Sequence, residues 1–171
     1  VEFTARYGQE SAHLRLGIPG KFTVYNALGV LGAAIALGVP LDAAVRALET
    51  AKGVKGRVEV VPTPGTDYTI LIDYAHAPDG LENVLSSVRG FCKGRLISVF
   101  GCGGDRDNTK RPIMGEIGAR LSDIAIITSD NPRTEDPMKI IDMILAGIPD
   151  QSNCLVEENR RKAIRMAMDM A

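Results

Sequence analysis

The sequence predicts an α/β protein: a mostly parallel sheet with helices on both faces, preceded by a helical segment. Three observations predict it. From Arg57 onward, short β-branched runs alternate with amphipathic stretches, the pattern of strand–helix–strand units. Before that, residues 22–37 are rich in Ala, Leu and Gly, a composition suited to close helix packing. Gly53 and Gly56 stand between the two textures, where glycine interrupts helical periodicity. A domain boundary is therefore expected at Gly56, giving segments 1–56 and 57–171.

In chain order, the first third reads as helical. Pro19-Gly20 punctuates, residues 22–37 form one helix and residues 41–51 a second. Residues 57–61 read as a strand, 62–67 as a turn and 69–74 as a β-branched strand. Pro78 suits a first helical position, and Leu81, Val84, Leu85 and Val88 recur at helical spacing. A strand at 95–100 leads into the glycine-rich loop 101–104, and a helix follows over 112–121. The next strand is 123–128. Asp136-Pro137 pairs an N-cap with a first-turn proline, and Ile140, Ile141, Ile144 and Leu145 mark the helix face behind it. A short strand at Cys154–Val156 and a helix from Asn159 complete the chain.

Composition narrows the function classes. The 171 residues are 45% hydrophobic and 24% charged, enough for a sizeable core and average for a globular chain. A net charge of -1 gives no electrostatic case for nucleic acid or an anionic membrane. Tryptophan is absent and aromatics make up 5%, which disfavours base-stacking platforms. Cys92, Cys102 and Cys154 are odd in number and widely spaced, so neither a disulfide framework nor a zinc site is indicated. That usage fits a reducing cytosol. No run approaches a membrane span and the first residues lack a signal-peptide pattern. A cytoplasmic monomer without membrane insertion is expected. The opening on Val1 and the uncapped helical close predict a piece of a longer protein.

Three segments carry chemistry. Asp130-Asn131-Pro132-Arg133 places a carboxylate, an amide and a guanidinium where a strand gives way to a loop, the position at which open α/β sheets hold ligands. A guanidinium beside a carboxamide suits a ligand bearing both carboxylate and amine. Lys110-Arg111 follows the preceding strand, so Arg111 and Arg133 are expected to converge on one pocket. The bland alternative is a turn with solvated charge. Gly101-Cys102-Gly103-Gly104-Asp105-Arg106-Asp107 follows a strand, but charged residues separate its glycines from the next helix. That is a poor dinucleotide fingerprint and a better substrate loop. No G-x-x-x-x-G-K-[ST] occurs. Asp73, in Asp73-Tyr74-Ala75-His76-Ala77-Pro78-Asp79, suits a ribose hydroxyl, and His76 suits a base or a proton. Their alternatives are a cap on local amides and a surface residue. Cys102 reads as a glycine-flanked spacer, with no histidine near it in sequence. Asn26 inside a predicted helix hints at a polar contact, and Arg57 beside Gly56 at a phosphate contact.

Together, DYAHAPD, FGCGGDRDNTKRP and DNPR, in this order and spacing, resemble the Mur ligase family, in its diaminopimelate-adding branch. The likeness extends to Gly20–Asn26 and to Gly56-Arg57-Val58-Glu59, with Thr23 where many members carry asparagine. The resemblance implies that 1–56 ends a central ATP-binding domain and that 57–171 is most of a Rossmann-like C-terminal domain. It implies an ATP- and Mg2+-dependent ligase joining meso-diaminopimelate to UDP-MurNAc-L-Ala-D-Glu through an acyl phosphate, in peptidoglycan synthesis. Asn26, Arg57, Asp73 and His76 then resemble ATP-side residues. Arg111, Asp130, Asn131, Pro132 and Arg133 resemble the amino-acid pocket. No residue is implied as a general base or metal ligand. The family's P-loop and UDP-binding domain would precede Val1 and its GKGHE loop would follow Ala171, so these residues alone are expected not to ligate. Competing expectations are a folylpolyglutamate- or cyanophycin-type ligase and a non-catalytic ligand-binding module.

Overall fold

Residues 1–15 form a hairpin, which corrects the reading of the first third as helical. Strands β1 (Glu2–Tyr7) and β2 (Glu10–Arg15) pair antiparallel, Glu2 opposite Arg15 and Tyr7 opposite Glu10. The missed signal is a period of two: Ala5 and Leu14 are buried while their flanking neighbours Thr4, Arg6, His13 and Arg15 are exposed. The computed structural model describes residues 1–171. Its contacts divide them into two units, Val1–Tyr74 and Ala75–Ala171.

In the first unit the hairpin packs with helices α1 (Phe22–Ala36) and α2 (Leu41–Glu49). Leu14 and Leu16 join Ala27 and Leu31 of α1 and Leu41, Ala44 and Val45 of α2 in one apolar core. Thr23 is buried, and its hydroxyl donates to the Pro19 carbonyl at 3.1 Å, closing the start of α1. Strands β3 (Glu59–Val61) and β4 (Ile70–Ile72) pair antiparallel with each other. Both were legible in the sequence; that they form their own two-stranded sheet was not. The division after Tyr74 leaves this hairpin in the first unit, beyond the expected boundary at Gly56.

The second unit runs α3 (Pro78–Arg89), β5 (Ile97–Phe100), α4 (Lys110–Leu121), β6 (Ile124–Ile127), α5 (Pro137–Leu145), β7 (Cys154–Val156) and α6 (Arg160–Met170). Its sheet is parallel in the order β5-β6-β7, with Ile97 beside Ile124 and Ala125 beside Cys154. Phe100, Ala125 and Ile127 share a core with Leu81 and Leu85 of α3, Met114 and Ile117 of α4 and Ile140, Ile141 and Ile144 of α5. Alternation turns Ile126 to the opposite face, where α6 packs on β5 and β6. Each fully buried isoleucine contributes about 1.5–3 kcal/mol. Asp136 caps α5, accepting from Met138 N at 2.8 Å and Lys139 N at 3.3 Å. Asn159 caps α6 through Lys162 N at 3.1 Å. Helix α4 starts at Lys110 rather than Pro112 because a first-turn N–H has no intrahelical acceptor, so proline is tolerated there.

Candidate functional site

Parallel pairing brings the loops that follow β5 and β6 side by side at the carboxyl ends of the strands. They are stitched by backbone and side chain together. Thr128 N–H donates to Phe100 O at 2.9 Å, and Gly104 N–H donates to Asn131 O at 2.8 Å. The glycines permit this approach. A Cβ at Gly101 would overlap the Thr128 carbonyl oxygen, and one at Gly104 would overlap that of Pro132. The glycine-rich loop thus receives a neighbouring loop, which accounts for its poor match to a nucleotide fingerprint.

The two arginines take opposite sides of this loop. Arg111, in the first turn of α4, is fully buried. Its guanidinium forks onto Glu135, with Nη1 donating to Oε2 at 2.8 Å and Nη2 to Oε1 at 2.7 Å. Nη2 also donates to Gly103 O at 3.2 Å, and Nη1 lies 3.0 Å from the Met143 sulfur. The expectation that Arg111 opens onto a ligand alongside Arg133 is not met by this geometry. Its terminal nitrogens are spent inside the protein, and its Nε is buried without a hydrogen-bond partner. Arg133 is exposed, and its Nη1 donates to the next carbonyl, Gly104 O, at 2.5 Å. That bond is the one its guanidinium makes within the chain. The arginines do converge on one loop, one anchoring it from within and the other presenting donors outside.

Arg133 adopts φ +50°, and Asp105 across the junction adopts φ +51°, a region that few non-glycine residues visit. Asn131 Oδ1 accepts from Arg133 N–H at 3.3 Å, a local turn that favours this conformation. Asp130 is exposed, and Arg160 of α6 reaches the same loop, donating to Ser129 O at 3.3 Å with Asp130 Oδ1 4.0 Å away. Lys110 Nζ donates to His76 O at 2.6 Å, tying the start of α4 to the loop before α3. Sequence reasoning placed Asp105 in a substrate loop without a partner and missed Thr134, Glu135 and Arg160. Glu135 lies two positions beyond Arg133, and nothing local announces a partner in α4.

The Arg111 guanidinium, then the Asp105 amide, hold the Glu135 carboxyl down at about 2, against an ordinary 4.5. A depressed carboxylate stabilises the fold above its unfolded pKa and loses that contribution as pH falls through the folded one. Wild type should therefore lose stability relative to Glu135→Gln as pH drops from about 4.5 toward about 2. Near neutrality Glu135→Gln should be the less stable, because Arg111 stays buried with a weaker partner. Denaturant melts across that pH range check this; parallel profiles would refute it. Burial pushes the Cys102 thiol up and leaves it protonated, in keeping with a spacer role.

Of the expected ATP-side residues, Asn26 is exposed on α1 and its side chain makes no hydrogen bond within the chain. Arg57 stands 4.7 Å over the Tyr74 ring. Asp73 Oδ2 accepts from Val58 N–H at 2.8 Å, an amide 15 positions away rather than a local one, and Val58 has φ +44°. His76 is exposed at the entry to α3. No group of three or more His, Cys, Asp or Glu converges to hold a metal ion. No helix is long and apolar enough to cross a membrane.

A parallel three-stranded sheet flanked by helices, with charged loops gathered at its strand ends, defines a Rossmann-like α/β unit. Residues 56–171 match the model of the Mur ligase glutamate ligase domain. The chain belongs to the Mur ligase family. It is 56% identical to a Clostridium botulinum protein named UDP-N-acetylmuramoyl-L-alanyl-D-glutamate--2,6-diaminopimelate ligase, over all of this chain and 35% of that one. A solved structure of a ligase with the same name shares 36% identity with a TM-score of 0.68, covering 99% of this chain and 35% of that one. Mycobacterium tuberculosis folylpolyglutamate synthase, solved with ADP, has a TM-score of 0.72 at 21% identity over 92% of this chain and 34% of its own, a likeness of fold alone. The chain thus spans about a third of the length of the relatives it matches.

Proposed function

We propose that this chain is the amino-acid-binding part, with some of the ATP side, of an ATP-dependent amide ligase. The reaction adds meso-diaminopimelate to UDP-MurNAc-L-Ala-D-Glu in cytoplasmic peptidoglycan synthesis. The observation that carries this reading is Arg133: pinned through one nitrogen to Gly104 O and open on its remaining donors. Such a guanidinium suits a carboxylate held by two parallel hydrogen bonds. Asp130, also exposed in that loop, suits an ammonium group, and Asn131 adds an amide donor. Diaminopimelate differs from lysine by a second carboxylate, so the arginine is the natural discriminator. The names borne by relatives at this level of identity support the same substrate.

On this reading ATP phosphorylates the glutamyl carboxylate, and the incoming amine displaces phosphate to form the amide. This chain's contribution is to bind and orient the amine donor. Arg57 and Asp73, beside Tyr74 in the first unit, are proposed on the nucleotide side with Asn26 and His76. Magnesium belongs to phosphoryl transfer generally. The test uses the full-length natural protein with ATP and the UDP-linked dipeptide. Phosphate release with meso-diaminopimelate and little with lysine is the expected result; equal turnover of both would overturn the assignment.

A further inference from the structure

Arg133 and Asp105 share a left-handed backbone in facing loops, and a reciprocal clasp holds both. The Asp105 carboxylate accepts from Thr134 Oγ1 at 2.8 Å and from Thr134 N–H at 3.2 Å. In return, Asp105 N–H donates to Glu135 Oε1 at 2.6 Å. Each loop thus supplies a carboxylate to an amide of the other. Arg133 is the residue immediately before Thr134, so its Cα cannot shift without breaking both bonds to Asp105. Its guanidinium bond to Gly104 O is made to the residue immediately before Asp105. The clasp therefore brackets the arginine on both sides.

We propose that Asp105 is a positioning residue that aims the open edge of Arg133 at the second carboxylate of a diamino-dicarboxylic acid. Its carboxylate is committed to Thr134, so it does not touch the ligand. A guanidinium swung by about an ångström no longer meets both carboxylate oxygens, and misplacement on that scale costs on the order of 100-fold in favourable cases. Charge alone does not explain the residue. Its position demands a positive φ and two acceptor oxygens, which few side chains other than aspartate combine.

This inference rests on the ligase reading above, and the experiment separates the two. In the full-length protein, Asp105→Gly keeps the left-handed backbone accessible and the backbone N–H bond to Glu135, and removes only the carboxylate half of the clasp, the two bonds to Thr134. Its KM for meso-diaminopimelate should rise about 10-fold or more, roughly the effect of 1.4 kcal/mol, while KM for ATP stays unchanged. Asp105→Asn, which tolerates the same backbone and keeps one acceptor for Thr134 Oγ1, should restore part of the affinity. Thr134→Val should move the same constant in the same direction by less, and serves if the glycine variant does not fold. A parent enzyme that turns over meso-diaminopimelate while Asp105→Gly keeps its KM would overturn the clasp alone. So would an equal rise in KM for ATP. A parent that does not use meso-diaminopimelate would overturn the ligase reading and the clasp with it.

Discussion

Replacing Arg133 by alanine in the full-length protein should raise KM for meso-diaminopimelate by about 100-fold, equivalent to roughly 2.7 kcal/mol. Charge-assisted pairs of this kind contribute about 1.5–3 kcal/mol, and here the guanidinium is already held to Gly104 O before a ligand arrives. Little further ordering is needed, so more of the pairing energy appears as affinity. Discrimination against lysine should fall in parallel, because lysine never made the lost contact. Arg133→Lys should recover only part of the affinity, since an ammonium lacks the planar fork. The fold should be little affected, as the side chain is exposed. Steady-state kinetics with both amino acids decides the matter. An unchanged preference would remove Arg133 from the pocket.

Gly104→Ala should be the most damaging small substitution in the site. The added methyl would overlap the Pro132 carbonyl oxygen, which is backbone and cannot rotate aside. Either the 131–133 loop lifts off, breaking the Gly104 N–H bond to Asn131 O, or the glycine loop moves and frees Arg133 from Gly104 O. Overpacking of this kind costs about 1–3 kcal/mol, and both routes disorganise the same guanidinium. We therefore expect a lower denaturation midpoint together with a loss of affinity for meso-diaminopimelate exceeding that of Asp105→Gly. Alanine at Gly94, where no atom lies within 4 Å of the new methyl, is the control. Equal behaviour of the two variants would show that the loops are not packed as described.

Much of the second unit was legible from local pattern. Proline at the head of α3 and α5, β-branched runs for β5 and β6, and the Asp136 cap each act within a few residues of sequence. The same local rules misread residues 1–15, where the alternating run is short and its apolar positions are modest. They also found β3 and β4 without revealing that the two pair only with each other. Pairing is decided by partners distant in sequence, which periodicity does not report.

The sequence by itself determined the strand–helix alternation, the motifs at the strand ends and membership of the Mur ligase family. It also marked Arg111 and Arg133 as a pair, but two arginines are chemically alike in a string of letters. Tertiary structure decided that one is a buried strut and the other an exposed side chain bonded to Gly104 O. The register of α4 turns Arg111 inward toward Glu135, a partner separated from it by 24 positions. A left-handed turn at Arg133, clasped through Asp105, turns the second guanidinium out. Burial and long-range pairing set those directions, and both exist only once the strands have brought the loops together.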